Sequence, residues 1–187
     1  MTDEELVKSV QTGNTNAFRE LVKRHESRVA ATVIGMLGHC PEADDVGQET
    51  FIRFYRGIKN FRGQSTVGTY LTRIAINLSL NELKRRKRKK RLFFYQGTSN
   101  KHFDLVDDSN SKPYSDEVEV IQRAVQKLKP KFRSVIILRL IDGYSTAETA
   151  EILNVPIGTV LSRLARAQKK LQEILSPYLG DSICVNN

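Results

Sequence analysis

Apolar side chains recur every three to four residues along most of the chain, which is the spacing expected of amphipathic α-helices. The pattern is interrupted at glycines and prolines, which are common helix boundaries. Four helices are predicted before residue 92: from a capping box at Thr2 and Glu5 to Gly13, over about residues 14–37, from Pro41 to Ile58, and from about Thr66 into the basic sequence KRRKRKKR at 84–91.

The helical periodicity stops at residues 92–114, where the sequence GTSNKHFDLVDDSNSKP at 97–113 is polar and contains Gly97, Pro113 and three aspartates. Domain boundaries favour this composition, so we predict a flexible linker; a long loop inside one domain is the alternative. Helical patterns resume after residue 115. The predicted fold class is therefore all-α, with two small helical domains at 1–91 and 115–187 joined by a linker at 92–114.

The pattern of residues 145–171 predicts a helix-turn-helix. Ser145 and Glu148 have the spacing of a capping box, the sequence NVP suits a turn, and Ala150 is small where the two helices would cross. The second helix carries hydroxyl and cationic donors opposite its apolar stripe, and such donors suit phosphates and guanine edges. An ordinary helical hairpin is the alternative. The candidate DNA-binding residues are Thr159, Ser162, Arg163, Arg166 and Lys170.

A second polar stripe lies on the helix that precedes the basic sequence, with residues at intervals of three and four. Aromatic rings stack on unpaired bases, while amide and guanidinium groups bind base edges, so this stripe suits single-stranded nucleic acid. An ordinary polar outer face is the alternative. The candidate residues are Phe61 and Arg62 from the preceding loop and Tyr70, Arg73, Asn77, Asn81 and Lys84 from the helix.

The helix that begins at Pro41 has a surface of a different kind. Its outer side combines acidic residues with an exposed apolar side chain, which suits a protein partner better than DNA; a merely solvated face is the alternative. The residues are Asp45, Gln48, Glu49, Ile52 and Arg56.

Net charge is +9, and most of it lies in the first half of the chain. Residues 1–91 hold 18 Lys and Arg against 10 Asp and Glu, a net of +8, and the basic sequence at 84–91 accounts for this excess. Such clustering favours nucleic acid or an anionic membrane over a neutral small molecule.

Two distant cysteines, Cys40 and Cys184, form neither a disulfide framework nor a metal motif, which suits a reducing cytoplasm. The opening residues do not form a signal peptide, and no apolar segment approaches the roughly 20 residues of a spanning helix. We therefore expect a soluble cytoplasmic protein with no stable membrane insertion.

No arrangement of residues indicates an enzyme. His25, His39 and His102 have no metal-ligand spacing, and no phosphate-binding glycine loop occurs. No catalytic residue, cofactor or metal is predicted.

A conventional dimeric helix-turn-helix regulator would explain residues 145–171 but not the acidic helix or the loop sequence FRG.

Two long motifs resemble a known family. The sequence DDVGQETFIRFYRGIKNFRGQSTVGTYLTRIAINLSLNEL at 44–83 resembles region 2 of the sigma-70 superfamily, and LKPKFRSVIILRLIDGYSTAETAEILNVPIGTVLSRLARAQKKL at 128–171 resembles region 4. The short chain, with a linker where larger relatives carry region 3, resembles the extracytoplasmic function (ECF) group.

This resemblance implies a promoter-specificity subunit of bacterial RNA polymerase that has no catalysis of its own. It implies that the surface from Asp45 to Arg56 docks on a coiled coil of the β′ subunit. The FRG loop and the following helix would open the −10 element and capture a flipped non-template base through Phe61, Arg73 and Asn77. The second helix of the helix-turn-helix would bind the −35 element through Ser162, Arg163 and Arg166.

The resemblance also implies further partners. The linker, with Asp104, Asp107 and Asp108, would pass along the RNA exit path of the core enzyme near the β subunit. An anti-sigma factor is expected to cover both domains and to be able to hold the protein at the inner membrane.

The chain departs from the family pattern in three places. Leu161 stands where relatives usually carry Lys or Arg, and Ala165 replaces a bulkier residue. Both changes remove expected −35 contacts. Tyr70 stands where Trp is usual and keeps a stacking surface. Gly47, inside a predicted helix, is expected to destabilise that helix by about 1 kcal/mol relative to Ala.

Overall fold

A computed structural model of the chain describes residues 1–95 and 117–178, and these residues form α-helices and turns without a strand. The all-α prediction is therefore confirmed. Short turns follow three of the helices: a 3₁₀ turn at Ile58–Asn60, a π-helical turn at Ile137–Ile141 and a 3₁₀ turn at Ser176–Tyr178. The helices are α1 Asp3–Gln11, α2 Thr15–Leu37, α3 Pro41–Gly57, α4 Val67–Tyr95, α5 Glu117–Lys127, α6 Pro130–Ile136, α7 Thr146–Leu153 and α8 Ile157–Leu175.

The helix ends follow the local signals in the sequence. The side chain of Thr2 accepts a hydrogen bond from the backbone N–H of Glu5, and the side chain of Glu5 accepts one from the N–H of Thr2. Pro41 occupies the first turn of α3, where its missing N–H is not needed. Gly38 ends α2 with a φ of 79°, a backbone conformation that favours glycine.

Helix α4 is longer than predicted. It continues through the basic sequence to Tyr95, past the predicted start of the linker at residue 92. Leu92–Tyr95 contain no glycine or proline, so the chain has no local reason to leave the helix. The rest of the predicted linker, with Asp104, Asp107 and Asp108, lies outside the described residues.

Helices α1 to α4 form the first region, residues 1–95, around a close-packed apolar core. Leu21, Met36, Phe54, Leu71 and Ile76 are almost inaccessible to solvent. Each such side chain stabilises the fold by about 1.5 to 3 kcal/mol through burial. Gly47 has open space where a Cβ would be, so no neighbouring atom requires a glycine there.

Helices α5 to α8 form the second region, residues 117–178, in which α7 and α8 make the helix-turn-helix. Val135 from α6, Ala150 from α7 and Val160 from α8 pack together where these helices cross. The predicted role of Ala150 as the small residue at the crossing is therefore confirmed. In α5, Val125 is buried in the core, whereas Val118 and Ile121 are 57% and 49% exposed.

The two regions pack against each other rather than standing apart. The apolar core is continuous from α2 and α4 into α6 and the π-helical turn. Ile137 lies against Gly35 of α2, where an added Cβ would come 3.1 Å from the Cδ1 atom of Ile137. Gly35 thus allows the second region to approach the backbone of α2.

Buried polar groups join the two regions at several points. The hydroxyl groups of Thr72 and Tyr144 are 2.9 Å apart and both are buried. The hydroxyl of Thr32 donates to the carboxylate of Asp142 over 3.1 Å, and burial raises the pKa of Asp142. Gln126 donates to the backbone oxygen of Gly35 over 2.6 Å. The resulting contact is specific, because each of these groups has a partner across it.

Arg133 is the charged side chain most deeply placed in this contact. It is only 7% exposed, and burial lowers its pKa to about 10. Its guanidinium donates to backbone oxygens at the end of α5 and to that of Met36 at the end of α2. Helix ends leave such oxygens without partners, so one side chain satisfies groups from both regions.

We predict that Arg133→Met lowers the free energy of unfolding by about 3 kcal/mol, because it leaves several buried carbonyl groups without a donor. Lys131→Met is the matched control, since Lys131 is exposed on the same helix, and its effect should stay within about 0.5 kcal/mol. Urea denaturation measures both values. Equal stability of the two variants would show that the guanidinium does not secure this contact.

Candidate nucleic-acid and protein interfaces

A cluster of aromatic rings lies where the FRG loop joins α4. Phe61 and Tyr70 meet edge to face with their ring centroids 5.2 Å apart, and Phe54 lies beneath both, 6.2 Å and 5.9 Å away. Phe54 is buried, whereas Phe61 and Tyr70 are half-buried. The core therefore fixes the orientation of the two outer rings while part of each stays accessible, which is what base stacking requires.

Gln11 holds this loop in place, and sequence analysis did not identify it. Its side-chain amide donates to the backbone oxygens of Ile58 and Phe61 over 2.8 Å and 3.3 Å. It lies on α1, 50 residues from Phe61 in sequence, so no local pattern connects them. Thr66 anchors the other end of the loop, because its hydroxyl accepts a hydrogen bond from the N–H of Thr69.

The predicted polar stripe lies along one side of α4, as its helical register requires. Asn77, Asn81 and Lys84 are exposed, and so is Arg62 in the loop. Arg73 differs, because it is half-buried and forms an ion pair of 2.6 Å with Glu151 of α7. The structure therefore leaves most of the stripe open and turns Arg73 towards the second region.

The basic sequence divides into two parts. Arg85 binds both oxygens of Glu82 over 2.7 Å and 2.9 Å, and Arg86 reaches Glu82, Glu42 and the Cys40 sulfur. Arg85, with Arg86 in support, holds the pKa of Glu82 below its usual range. Arg86 thus attaches α4 to the start of α3, whereas Arg85 is paired within α4. The cations of this sequence that are exposed and form no ion pair with another described residue are Lys84, Lys87, Arg88, Lys89, Lys90 and Arg91.

The candidate protein-binding surface lies on the outer side of α3. Asp45, Gln48, Ile52 and Arg56 are exposed, and Ile52 is 44% exposed although it is apolar. Glu49 is half-buried and accepts a 2.8 Å hydrogen bond from Arg53 on the next turn. All five predicted residues follow one face of the helix, while Ala43, Thr50 and Phe54 fill the opposite face.

Local hydrogen bonds set the start of α7 and the turn between α7 and α8. Ser145 and Glu148 form the predicted capping box, with hydrogen bonds of 2.8 Å and 3.2 Å. Asn154 ends α7 with a φ of 50°, in the left-handed region that asparagine tolerates. The N–H of Val155 then donates to the backbone oxygen of Ala150. The predicted helix-turn-helix is therefore confirmed.

The predicted residues of α8 do not all face outward to the same degree. Ser162, Arg166 and Lys170 are exposed, whereas Thr159 and Arg163 are half-buried beside the packed side of the helix. Lys170 also lies 3.3 Å from Glu173. Lys169 was not predicted, although it is exposed near the middle of the outer face, one turn beyond Arg166.

Two donor-rich faces on separate helical regions, one of them on a helix-turn-helix, are typical of a DNA-binding protein. Within residues 1–95 and 117–178, no helix is long and apolar enough to cross a membrane. In the same part of the chain, His, Cys, Asp and Glu side chains form no group of three that could hold a metal ion.

Comparison with known families and proteins agrees with this class. Residues 21–89 match the model of sigma-70 region 2, and residues 119–171 match that of sigma-70 region 4. The chain is 35% identical over 188 residues to the ECF RNA polymerase sigma-E factor of Escherichia coli K12, covering 96% of this chain and 97% of that one. It is 32% identical over 189 residues to the RNA polymerase sigma-H factor of Pseudomonas aeruginosa, with coverage of 96% and 97%.

Solved structures agree on the fold. CnrH in complex with the cytosolic domain of CnrY matches with a TM-score of 0.68 and 27% identity, over 94% of this chain and 97% of that one. The sigma factor RpoE of Bartonella quintana, bound to the anti-sigma factor NepR, matches with a TM-score of 0.66 and 24% identity, over 85% and 96%.

The chain belongs to the ECF group of the sigma-70 family. Its function is promoter-specific initiation of transcription.

We predict that Glu82→Gln lowers the free energy of unfolding by about 1 to 2 kcal/mol at pH 7, because a neutral amide cannot hold two guanidinium groups. The folded-state pKa of Glu82 is lowered, so its contribution is present above the unfolded value of about 4.3 and is lost as pH falls through the folded value. The difference from wild type should therefore shrink below about pH 4.

Urea denaturation at pH 7 and pH 3 measures this difference. Glu20→Gln is the matched control, because Glu20 forms an exposed ion pair with Arg24 that should contribute well under 1 kcal/mol. A difference that is the same at both pH values would contradict the assigned role of Glu82.

Proposed function

We propose that three surfaces of the described chain divide the work of a sigma factor. The outer face of α3 docks on the polymerase core, the FRG loop with the α4 stripe binds the melted −10 element, and the outer face of α8 binds the −35 duplex. The observation that carries this proposal is the placement of aromatic rings, amides and cations along a single side of α4, directly after an anchored loop.

The α3 face suits a protein partner because its chemistry differs from that of its surroundings. Asp45 and Glu49 lie on a strongly basic chain, and Ile52 exposes apolar surface between Glu49 and Arg56 along the helix. An apolar centre with a charged rim is typical of protein interfaces. The partner proposed here is the coiled coil of the β′ subunit, and the β subunit lies nearby along the path of the linker.

The α4 stripe suits a strand whose bases are unstacked. Phe61 and Tyr70 offer ring faces that the core holds in place, and Asn77 and Asn81 offer amides to base edges. Lys84 and the exposed cations after Arg86 continue from the same helix and neutralise phosphates of the adjoining duplex. Binding the flipped base stabilises the open promoter, so the protein acts by binding rather than by catalysis.

The α8 face suits a duplex. Its helix-turn-helix places the first helix across the backbone and the second in the major groove. Ser162 and Arg166 are exposed there and can reach base edges and phosphates, while Thr159 and Arg163 lie nearer the edge of the contact. The protein performs this work in the cytoplasm, and an anti-sigma factor that covers both regions withholds it from the core.

The contact between the two regions restrains the −10 surface. Arg73 is paired with Glu151, and Thr72, its neighbour, is buried against Tyr144. A strand that binds Arg73 competes with Glu151 and with the packing of α7 against α4. Engagement of the melted strand therefore requires the second region to move away from α4.

Reconstituted transcription tests the proposal as a whole. Core polymerase with this chain should start transcripts at defined sites in a genomic fragment library, and core alone should not. Failure of the purified chain to bind core would overturn it.

We predict that Asn77→Ala lowers open-complex formation about tenfold, because it removes the amide that binds the exposed base. Affinity for the core should not change, since Asn77 lies away from α3. Fluorescence of 2-aminopurine in the −10 element measures opening, and fluorescence anisotropy measures core binding. Asn16→Ala, at an exposed asparagine on α2, is the control. A matching loss of core affinity would contradict the role of Asn77.

We predict that Gly35→Val strengthens binding of a −10 single strand by the free chain, by about threefold to tenfold. The added side chain pushes against Ile137 and so raises the fraction of molecules whose regions are apart. Gly47→Val is the matched control, because a Cβ there meets open space. The holoenzyme should show no such gain. Unchanged affinity together with a larger radius of gyration would show that the contact does not cover the binding surface.

A further inference from the structure

The outer surface of α8 carries an apolar row beside its cationic row. Ile157 and Leu161 are each 53% exposed, and Ala165 is exposed one turn further on. Residues four apart share a face of a helix, so these three side chains form one row. Ser162 and Arg166 follow directly in sequence and form the adjacent row, about 100° further round the helix.

Packing within the chain does not explain this apolar row. The packed side of α8 is made by other residues, among them Val160 and Ala167, which are fully buried. Ile157 and Leu161 therefore expose large apolar groups in the half of the helix that enters the groove when a helix-turn-helix binds duplex DNA. Single exposed leucines are common, but two on consecutive turns of a DNA-contacting helix call for a ligand.

The charge of the surroundings identifies the kind of ligand. From residue 157 to residue 172, α8 contains Arg163, Arg166, Lys169 and Lys170 and no acidic residue. An apolar row on a helix segment whose charged residues are all cationic is complementary to a polyanion that also presents apolar groups. Duplex DNA does so in the major groove, where thymine is the one base with a methyl group.

We propose that Leu161, flanked by Ile157 and Ala165, determines specificity for thymine in the −35 element by packing against its C5-methyl group. This inference rests on the proposed binding of α8 in the major groove. Ser162 and Arg166 on the adjacent row fix the depth and register of the helix through phosphates and base edges. Leu161 has no donor for the acceptors of guanine, so it favours a thymine at the position it faces.

Replacement of thymine by deoxyuridine removes the methyl group and keeps the base pair. The test first selects −35 sequences from a randomised duplex library with reconstituted holoenzyme, and then replaces each thymine by deoxyuridine singly. Burial of one methyl group corresponds to about fourfold in affinity. We therefore expect one or two positions at which deoxyuridine weakens wild-type holoenzyme binding about fourfold.

Two variants assign the effect to a side chain. Leu161→Ala should bind thymine and deoxyuridine equally at those positions. Leu140→Ala is the matched control, because Leu140 is also 53% exposed in the same region but lies outside α8, and it should keep the fourfold difference. Thermal melting should show that both variants fold like wild type, since both sites are exposed.

Several outcomes would overturn the inference. Equal wild-type affinity for thymine and deoxyuridine at every position would do so, as would a difference that survives in Leu161→Ala. Sedimentation that shows Leu161→Ala separating a dimer into monomers, with base preference unchanged, would identify the row as a contact between copies of the chain. If the wild-type holoenzyme binds no promoter at all, the proposed function is overturned. If it binds the −35 duplex in a salt-dependent manner but without a methyl effect, only the thymine contact is overturned.

Discussion

The guanidinium of Arg133 occupies the point where the two helical regions meet. A buried charge is tolerated only when hydrogen bonds replace its lost hydration, and here backbone oxygens from the ends of α5 and α2 do so. This requirement fixes the position of α6 relative to α2, and α6 in turn supports both helices of the helix-turn-helix. The orientation of the helix-turn-helix therefore depends on one buried cation and on the helix ends that it satisfies.

Each functional surface is built on a helix whose opposite side is packed, so the exposed groups have fixed positions. The aromatic pair Phe61 and Tyr70 depends on Phe54 beneath it, and the outer face of α3 depends on the buried face that includes Thr50. A sigma factor binds several partners one after another. Rigid surfaces on separable regions suit such successive binding. The contact between the regions combines buried hydroxyl groups with apolar packing.

Periodicity and capping signals predicted the helices well, because the glycines, prolines and capping residues act locally. The helix-turn-helix could be predicted for the same reason, from Ser145, Glu148 and Ala150. Contacts between distant segments could not be predicted. Examples are the hydrogen bond from Gln11 to the loop at Phe61 and the ion pair between Arg73 and Glu151 of the second region. The pairs of Glu82 with Arg85 and Arg86 have the local spacing of three and four residues and could be predicted, whereas the contact of Arg86 with Glu42 on α3 could not. The predicted start of the linker at residue 92 is too early, because α4 continues to Tyr95. A polar composition indicates a linker more clearly than it indicates the residue at which a helix ends.

Helix α4 is continuous over 29 residues and so measures about 43 Å from end to end. Its polar stripe from Tyr70 to Lys84 covers about 21 Å, close to the length of six stacked base pairs. α4 contains no proline, and its one glycine is its second residue, so it has no common cause of a kink. In the proposed function α4 therefore keeps a fixed distance between the melted strand and the upstream phosphates, and insertion of a single base pair between these two contacts displaces one of them by about 3.4 Å.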